Sequence, residues 1–308
     1  MNSLEERIEK AKKLLHEADY IVIGAGAGLS DAAGFHYAGK RFEQYFQDFK
    51  EKYNISDMYS GTFYPFQTEE EKWAYWARMI QCNVYDTKPT EVYQRLLDLV
   101  KDKDYFVITT NADHQFYING FNINRYFETQ GNYIYRQCQK GCHDKVYNNQ
   151  GLVQFMVRQT KDCHIPSALV PRCPVCGGKM DVHVRKDNHF VETKGWHSHQ
   201  RQYTKFLKQA LKHKVVFLEF GVGFNTPGII RYPFERMVYQ NKNAHLIRFN
   251  KDYDFCMKGN EDNVICFCEN IQNILYQMQK SPNTTAEEKN ISQYKLNKEN
   301  KKNINQFI

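Results

Sequence analysis

The sequence predicts an α/β fold: a Rossmann-like parallel sheet with helices on both faces, plus a small zinc-binding module. Short, near-continuously apolar runs recur along the 308-residue chain, and helical stretches lie between them. This alternation indicates a parallel sheet, because strands that are covered on both faces are apolar on both faces. Two close pairs of cysteines interrupt the alternation, and their spacing predicts the module.

The first predicted elements are a helix and a strand. Apolar residues recur at helical spacing in residues 4–18, namely Leu4, Ile8, Ala11, Leu15 and Ala18. This spacing is typical of an amphipathic helix. The apolar run 20–23 predicts a short strand, and the glycines from Gly24 onward predict a turn. The chain therefore begins with a helix that leads into a buried strand.

The same strand pattern recurs four times, and it defines the predicted domain. The later runs are residues 105–108, 215–218, 246–249 and 264–267, with helices predicted at 91–100 and 200–211. Residues 132–195 break the rhythm, so we interpret them as an inserted module within one domain of residues 1–280. Residues 281–308 contain six Asn and five Lys with few apolar residues, which predicts a disordered tail.

Composition and charge argue against a membrane-spanning or secreted protein. The hydrophobic share is 42%, and no apolar run approaches the roughly 18 residues that a membrane helix needs. The N-terminus lacks a signal-peptide pattern, so a soluble cytoplasmic protein without membrane partners is expected. The net charge is +7, and the basic residues look dispersed along the chain. This favours an ordinary solvated surface, with attraction to an acidic partner or a polyanionic cofactor as the alternative.

A glycine-rich turn follows the first predicted strand. Residues 21–30 run from an apolar strand into Gly24, Gly26 and Gly28 at the start of a helix. Glycines let the backbone approach a pyrophosphate closely, and a helix N-terminus offers free N–H groups to it. Taken alone, these glycines are also consistent with a tight structural turn.

Polar residues follow three other predicted strands. The segment 110–113 follows the strand at 105–108, the segment 221–227 follows 215–218, and Asn250 follows 246–249. Ligands of α/β sheets bind at the carboxyl ends of the strands, so these residues are candidates for one shared site. Asn and Asp also favour turns for local reasons, and that alternative stays open for each segment on its own.

Four of the nine cysteines have the spacing of a metal site. Cys138 and Cys142 form one pair, and Cys173 and Cys176 form another after a gap of 30 residues. In a reducing compartment this pattern favours a structural zinc ion over disulfides, because four thiolates close its coordination sphere. The remaining cysteines are expected to be small buried hydrophobes, namely Cys82, Cys163, Cys256, Cys266 and Cys268.

These motifs together resemble the sirtuin family of NAD-consuming enzymes over residues 4–275. The resemblance rests on residues 26–34, 109–114 and 127–131 and on the four paired cysteines. It implies that NAD is a substrate, contacted by Gly26, Ala27, Gly28, Ser30, Gly34, Phe35, Asn111, Asp113, Gln130, Gly221, Gly223, Asn225 and Asn250. It further implies that Asn111 positions a water or the ribose, and that Asp113 accepts a hydrogen bond from the nicotinamide carboxamide.

The sequence departs from the sirtuin pattern at two places. Most sirtuins carry a catalytic histidine where this chain has Gln130, and an amide takes up no proton at neutral pH. After Gly34 they usually carry Ile-Pro-Asp-Phe-Arg, whereas this chain has Phe-His-Tyr-Ala at residues 35–38. Arg41 and Phe42 are candidates to replace the missing part of that segment.

Within the family, the chain resembles class M, the macrodomain-linked sirtuins. The resemblance rests on residues 57–66, 73–76, 129–138, 172–178, 195–197 and 221–227. This branch transfers ADP-ribose to protein, with a lipoyl-bearing carrier protein as acceptor, and glutamine at the catalytic position is typical of it. The resemblance therefore implies an NAD-dependent protein ADP-ribosyltransferase in which Asn111, Asp113 and Gln130 are catalytic.

Two alternatives remain open from the sequence. The first is a lysine deacylase that lacks the usual general base, which should slow deacylation by roughly 100- to 10,000-fold. The second is a zinc-ribbon module that binds nucleic acid. It is disfavoured because residues 140–190 contain scattered basic residues and few aromatics. Residues 184–192 are polar where other sirtuins pair with a peptide strand, so Arg185 is expected to be available to an acidic or phosphate partner.

Overall fold

The computed structural model describes residues 3–280 of the chain, and nine strands form two sheets within them. Their bounds are β1 Tyr20–Ala25, β2 Asp104–Thr109, β3 Tyr126–Glu128, β4 Gly131–Cys138, β5 Val146–Asn148, β6 Met180–Val184, β7 Val215–Phe220, β8 Ala244–Phe249 and β9 Val264–Phe267. Six parallel strands in the order β3-β2-β1-β7-β8-β9 form the central sheet, which confirms the predicted parallel sheet. The tail predicted to be disordered lies outside the described residues.

Helices cover the central sheet on both faces, as predicted. The α-helices are α1 Leu4–Glu17, α2 Ala27–Ala32, α3 Lys40–Tyr53, α4 Met58–Gly61, α5 Glu69–Ile80, α6 Glu91–Val100, α7 Gln115–Ile118, α8 Gln150–Gln159, α9 Lys194–Ala210, α10 Arg231–Gln240 and α11 Ile271–Gln279. Side chains alternate between the faces of a strand. Ile21 and Ile23 of β1 therefore pack towards α1, α6 and α11, whereas Val22 packs towards α9 and α10.

Caps explain where the first helix and the longest helix begin. At the start of α1, the Ser3 hydroxyl accepts from the Glu6 N–H, and the Glu6 carboxylate accepts from the Ser3 N–H. Helix α9 begins at Lys194, six residues before the predicted start at residue 200. The Thr193 hydroxyl caps it by accepting from the Trp196 N–H at 3.0 Å. The predicted boundary was therefore wrong at this end.

The cysteine-bearing segment forms a second, smaller sheet. Strands β5, β4 and β6 are antiparallel and lie in that order. The core beneath them also contains Phe46 and Trp73, which belong to α3 and α5 and precede the segment in sequence. This second core therefore combines two stretches of chain that are far apart in sequence.

The topology of the central sheet creates a crevice beside β1. From β1, the chain order runs outward through β2 to β3 on one side and through β7, β8 and β9 on the other. Such a switch point leaves a crevice at the carboxyl ends of the strands, where α/β proteins bind their ligands. Within residues 3–280, none of the helices combines the length and the apolar character that a membrane-spanning helix requires.

Candidate functional site

Two adjoining cavities open at the carboxyl edge of the central sheet, beside β1 and β7. The first has a volume of about 770 Å³ and the second about 510 Å³. Nine residues line both cavities and mark where they join: Ala27, Gly28, Asp31, Tyr59, Thr110, Asn111, Gln130, Asn225 and Lys251. A crevice of this size at a switch point suits an extended ligand such as a dinucleotide.

The loops that follow β1 and β7 touch through their glycines. A methyl group on Gly28 would lie 2.6 Å from the Gly221 Cα, and one on Gly221 would lie 2.3 Å from the Gly28 Cα. Gly221 also has a φ of 56°, which favours glycine. The Gly28 N–H donates to the Gly221 carbonyl at 3.1 Å. This N–H is therefore already engaged, and these glycines provide the close approach of the two loops, while a contact of Gly28 with a pyrophosphate stays a prediction.

Every residue predicted to contact NAD lines one cavity or both. Gly26, Gly34, Gly221, Gly223 and Asn250 line the first only, and Ser30, Phe35 and Asp113 line the second only. Ala27, Gly28, Asn111, Gln130 and Asn225 line both. The strand ends therefore bring segments together that lie far apart in sequence, while the contact of each residue with NAD stays a prediction.

Ser30 is the centre of a buried hydrogen-bond cluster. Its hydroxyl donates to Asp113 Oδ2 at 2.5 Å and accepts from Asn111 Nδ2 at 3.1 Å. The hydroxyl of Tyr93, 2.9 Å away, occupies the remaining acceptor position. All hydrogen-bonding capacity of the Ser30 hydroxyl is thus used, which holds the predicted catalytic side chains in one orientation. Sequence analysis missed Tyr93, because only the folded chain brings α6 beneath Ser30.

The Asp113 carboxyl has a strongly perturbed acidity. Burial raises its pKa to about 6, although hydrogen bonds from Ser30 and from the Gln115 N–H lower it. At neutral pH the carboxyl group is therefore mostly ionised, although burial makes its charged form less stable than it would be in water. A poorly hydrated carboxylate of this kind is a strong acceptor for an amide N–H and stabilises nearby positive charge.

Gln130 lies in the short turn between β3 and β4, where the two cavities join. Its carbonyl accepts from the Arg185 N–H at 3.0 Å, and the neighbouring Thr129 hydroxyl donates to the Thr109 carbonyl at 3.0 Å. Gly131 follows with a φ of 90°, and a methyl group there would clash with the backbone of β6. The backbone is thus fixed on both sides of Gln130. Its side chain offers a neutral amide to the cavities and no titrating group.

Arg41 and Phe42 do not replace the missing sirtuin segment. Arg41 donates to Asn83 Oδ1 at 2.9 Å and to the Cys82 carbonyl at 2.8 Å. Both acceptors belong to a π-helix, Gln81–Tyr85, that continues α5. Phe42 is buried in the second core. Neither side chain lines a cavity, so this prediction was wrong, because both residues serve the packing of α3 against α5.

The segment after Gly34 lines the cavities with different side chains. Phe35 lines the second cavity, and His36 lines the first. The His36 Nδ1 lies 2.7 Å from Asp31 Oδ1, and both side chains remain about half exposed. The mouth of the site therefore carries a histidine–carboxylate pair in place of the usual proline-containing run.

Aromatic side chains form much of the wall of the second cavity. Tyr37, Tyr133 and Trp76 lie deep in it, and Tyr59 and Phe63 are exposed at its rim. The hydroxyls of Tyr37 and Tyr133 are 3.5 Å apart. Burial raises the pKa of Tyr133 to about 12 and that of Tyr37 well above its usual value, so both stay protonated. This part of the wall is thus aromatic with two neutral hydroxyls, while charged side chains such as Asp113 and Arg185 line other parts of the same cavity.

Arg185 is engaged within the protein. Its Nη2 donates to Glu192 Oε1 at 2.7 Å, and its guanidinium lies 4.2 Å from the ring centre of Phe190 and 5.5 Å from that of Trp196. The expectation that Arg185 is available to an acidic or phosphate partner was therefore wrong. The side chain lines the second cavity while a carboxylate already neutralises it.

A buried ion network supports one wall of the first cavity. Arg248 of β8 donates to Glu219 of β7 at 2.7 and 3.0 Å and to Glu235 of α10 at 2.8 Å. It also donates to the Phe255 carbonyl at 2.6 Å, and Glu235 accepts from the Met257 N–H at 3.1 Å. The network thus anchors the loop after β8, whose first residues line the cavity. Sequence analysis missed these charged side chains.

The four paired cysteines converge as predicted. Their Sγ atoms all lie within 4.8 Å of one another, with 3.7 Å between Cys138 and Cys176 and 3.6 Å between Cys142 and Cys173. Four sulfurs at about 2.3 Å from a tetrahedral zinc ion would lie about 3.8 Å apart, so the set fits zinc. The cluster lies at the end of β4, with Cys142 and Cys176 exposed, and none of its residues lines either cavity.

The other cysteines follow the prediction only in part. Cys82 and Cys163 are buried, whereas Cys256 and Cys266 are partly exposed. Cys268 is exposed and lines the first cavity. The expectation of burial was therefore wrong for these three: Cys266 and Cys268 lie in and just after the edge strand β9, whose end opens onto the site, and Cys256 lies in the loop after β8.

Two curated proteins resemble this chain over much of its length. A protein ADP-ribosyltransferase of Staphylococcus aureus is 36% identical over 286 residues, which cover 92% of this chain and 91% of that protein. A probable bifunctional ADP-ribose hydrolase/ADP-ribosyltransferase of Fusarium oxysporum f. sp. cubense is 32% identical over 251 residues, which cover 78% of this chain. They cover 41% of the Fusarium protein, so the chain matches less than half of it. No protein-family model matches the chain.

Solved structures show the same fold at low sequence identity. A crystal structure of a Sir2 homologue in complex with NAD superposes with a TM-score of 0.57 at 16% identity, covering 88% of this chain and 91% of that one. A structure from a study of the mechanism and regulation of Sir2 enzymes gives 0.54 at 17% identity, covering 89% and 97%. The fold of this chain is thus one that is known from other proteins.

Proposed function

Because this chain belongs to the protein ADP-ribosyltransferases built on the sirtuin fold, we propose that it is a class M sirtuin whose acceptor is a lipoylated carrier protein. As a member of that family the chain is an NAD-dependent transferase. The proposal adds the branch, the acceptor and the roles of individual residues.

The neutral amide of Gln130 at the junction of the cavities is the observation that carries the proposal. Deacylation by sirtuins uses a histidine there to deprotonate a ribose hydroxyl, and a general base typically contributes about 100- to 10,000-fold. Transfer of ADP-ribose needs no such deprotonation, because the acceptor attacks the anomeric carbon directly. An uncharged side chain on a fixed backbone at this position therefore favours transfer over deacylation.

In the proposed reaction, NAD spans both cavities, with its ADP part in the first and nicotinamide in the second. The bond between nicotinamide and ribose breaks, and its electron pair neutralises the pyridinium nitrogen. Positive charge develops on the ribose, where the carboxylate of Asp113 and the dipole of Asn111 stabilise it. A lone pair of the acceptor forms the new bond to the anomeric carbon, and the acceptor's proton passes to water.

The second cavity also suits the proposed acceptor. A lipoyl group is carried on a long apolar arm, and several aromatic side chains line this cavity. Tyr59 and Phe63 are 53% and 58% exposed at its rim, and their rings are 5.1 Å apart. Exposed aromatic side chains at the mouth of an apolar cavity are typical of a binding surface.

The cysteine cluster is proposed to hold one structural zinc ion. Cys138, Cys142, Cys173 and Cys176 would supply four thiolates, which leave no open coordination position for a reacting group. The ion would add folding free energy to the second core and take no part in the transfer.

The test compares acceptors under one set of conditions. The purified protein is incubated with NAD labelled in its adenosine part, together with a lipoylated carrier domain, the same domain without lipoate, or an acetylated peptide. We expect label on the lipoylated domain alone, and no label when Asn111→Ala replaces the wild type.

Each other outcome overturns a defined part of the proposal. Equal labelling of the unmodified domain would remove the lipoyl requirement. Efficient, NAD-dependent deacetylation of the peptide, with no label on either domain, would favour the deacylase instead.

A further inference from the structure

Helix α9 presents a continuous stripe of basic side chains to solvent. The stripe consists of Lys194, Arg201, Lys205, Lys208 and Lys212, all of which are exposed. Residues 194, 201, 205 and 208 are separated by seven, four and three positions, which places them on one face of the helix, and Lys212 follows in the turn just beyond the end of α9. From Lys194 to Lys208 the stripe is about 21 Å long, at 1.5 Å per residue.

These cations lack acidic neighbours. Within residues 3–280, none of the five side chains has a hydrogen bond or an ion pair, and the sequence contains no Asp or Glu between Glu192 and Glu219. Many cations elsewhere on the chain do have an acidic partner, as Lys50 has in Glu43 at 2.7 Å. Like charges three or four positions apart destabilise a helix. The stripe therefore does not stabilise the isolated protein. A binding partner of opposite charge would explain why these side chains are present.

The opposite face of α9 fixes the direction in which the stripe points. Trp196 packs on Phe127 of β3 with ring centres 5.0 Å apart, and Tyr203 packs on Phe106 of β2 at 5.7 Å. The aromatic side chains of the helix are thus turned inward to the central sheet. The basic side chains are held outward as one rigid row.

The stripe begins beside the candidate site. The Trp196 Nε1–H donates to the Thr129 carbonyl at 3.2 Å, and Thr129 directly precedes Gln130. A partner that lies along α9 therefore reaches the junction of the two cavities at the N-terminal end of the stripe. The position suits a molecule that must present an acceptor group there.

We propose that the basic face of α9 is the docking surface for an acidic protein acceptor. This inference rests on the proposed function in one respect, namely that the acceptor is a folded protein. Complementary charge raises the rate of encounter and sets the orientation of the partner. A single-stranded nucleic acid would need exposed aromatic side chains for stacking, and the aromatic side chains of α9 face inward. The stripe therefore fits a protein with a row of carboxylates.

The test reverses three charges on the stripe and three elsewhere. The stripe variant is Arg201→Glu, Lys205→Glu and Lys208→Glu. The control is Arg158→Glu, Lys88→Glu and Lys161→Glu, which changes equally exposed cations of the same types away from α9. Both variants have the same net charge, so a difference between them reports position and not total charge.

The readouts are the KM and kcat for a lipoylated carrier domain, the affinity of the enzyme for that domain, and nicotinamide release from NAD alone. We expect the stripe variant to raise KM and weaken binding by about tenfold or more at low salt, because reversed charges repel the acidic surface. Nicotinamide release and kcat should stay near the wild-type values. The difference should shrink when salt approaches physiological strength and beyond, where the Debye length falls to about 8 Å. The control variant should behave like the wild type.

Equal KM and equal affinity of the two variants would overturn the inference while leaving the transferase proposal intact. Absence of transfer by the wild type to any carrier domain would overturn the proposed acceptor instead. If the stripe variant lost affinity for a 20-base-pair duplex but kept its affinity for the carrier, the occupant would be nucleic acid and the inference would be wrong.

Discussion

At the scale of single residues, Asp113 couples the activity of the site to the stability of the fold. Its pKa is raised from 3.8 to about 6 by burial, so the folded chain keeps a proton that the unfolded chain releases earlier. The proton on Asp113 therefore contributes its full amount to the free energy of unfolding below pH 4, and this contribution is lost as pH rises through 6. A shift of about two units corresponds to about 3 kcal/mol at most.

We expect Asp113→Asn to stabilise the protein without NAD above pH 6 and to abolish turnover. The amide stays neutral at every pH, so unfolding in urea should show a gain that grows from pH 4 to 7 and reaches about 3 kcal/mol at most. Asp102→Asn at an exposed position serves as the control and should show no such pH dependence. Equal stability of Asp113→Asn and the wild type at pH 7.5 would contradict a buried carboxylate.

Gln130 permits a second residue-scale prediction. Gln130→Ala should slow ADP-ribose transfer through lost positioning, and the pH profile of the remaining activity should be unchanged, because residue 130 carries no proton in either protein. Gln130→His should add an ionisation near pH 6.5 to that profile. The measurement is initial-rate transfer between pH 5.5 and 8.5. A pH profile that is identical for glutamine and histidine would remove Gln130 from the reaction centre.

The sequence could identify single site residues only where their signal is local. Gly28 and Asn111 were found because glycine turns and polar strand ends are visible in a short window, whereas Gln130 was found through the resemblance of residues 127–131 to sirtuins, and all three line the cavities. Tyr93 carries no such signal, because its partner Ser30 is 63 positions away. Arg248 did carry one: a charge within an apolar run must find a buried partner, and it does so in Glu219.

At the scale of elements, the glycine contact between the β1 and β7 loops should tolerate no side chain. We expect Gly28→Ala to cost about 1–3 kcal/mol through overpacking and to abolish NAD turnover, because the added methyl meets the backbone of Gly221. Gly151→Ala is the control, since it lies in α8 with open space around it and should be neutral or slightly stabilising. Chemical unfolding and nicotinamide release measure both effects. Equal stability of the two variants would show that the loops can separate.

Helix α9 shows why element boundaries are harder to predict than element types. Its second half has apolar residues at helical spacing, which predicted the helix from residue 200. Its first turns contain Trp196 and two histidines, whose burial depends on contacts with β3. The Thr193 cap was the available local signal. The basic stripe was also present in the sequence, and the expectation of dispersed basic residues was wrong for this helix.

At the scale of the whole molecule, the chain is built around two kinds of core that meet at the site. The central sheet packs its two faces against α1, α6 and α11 and against α9 and α10. The second core joins α3, α5 and the π-helix to the cysteine-bearing sheet. The second cavity takes its wall from both, with Asp113 from the central sheet and Trp76 from the second core. Sequence alone could not predict that both cores line the second cavity. Residues 42–84 carry no metal motif, so nothing in the sequence connects them with the cysteine-bearing segment.

Removal of zinc should therefore unfold one core and leave the other. In the second core Cys138 and Cys173 are buried with Trp73, so loss of the proposed ion would remove a crosslink between β4 and the loop before β6. We expect a strong chelator, or Cys173→Ser, to abolish amide protection in residues 40–85 and 131–184. Strands β1, β2, β7 and β8 should stay protected, and nicotinamide release should be lost because the second cavity loses a wall. Hydrogen exchange followed by mass spectrometry, with metal analysis of the same sample, measures each of these effects.

The matched control for this experiment is Cys82→Ser, which changes a buried cysteine of the same core that lies outside the cluster. It should keep one zinc ion per chain and keep protection of residues 131–184, with at most a modest loss of stability. Trp73 and Trp76 belong to the second core and Trp196 does not, so a red shift of tryptophan emission should accompany zinc loss by chelation or in Cys173→Ser and should be absent in untreated Cys82→Ser. Zinc-free protein with full amide protection and full NAD turnover would show that the four cysteines are not a metal site on which the fold depends.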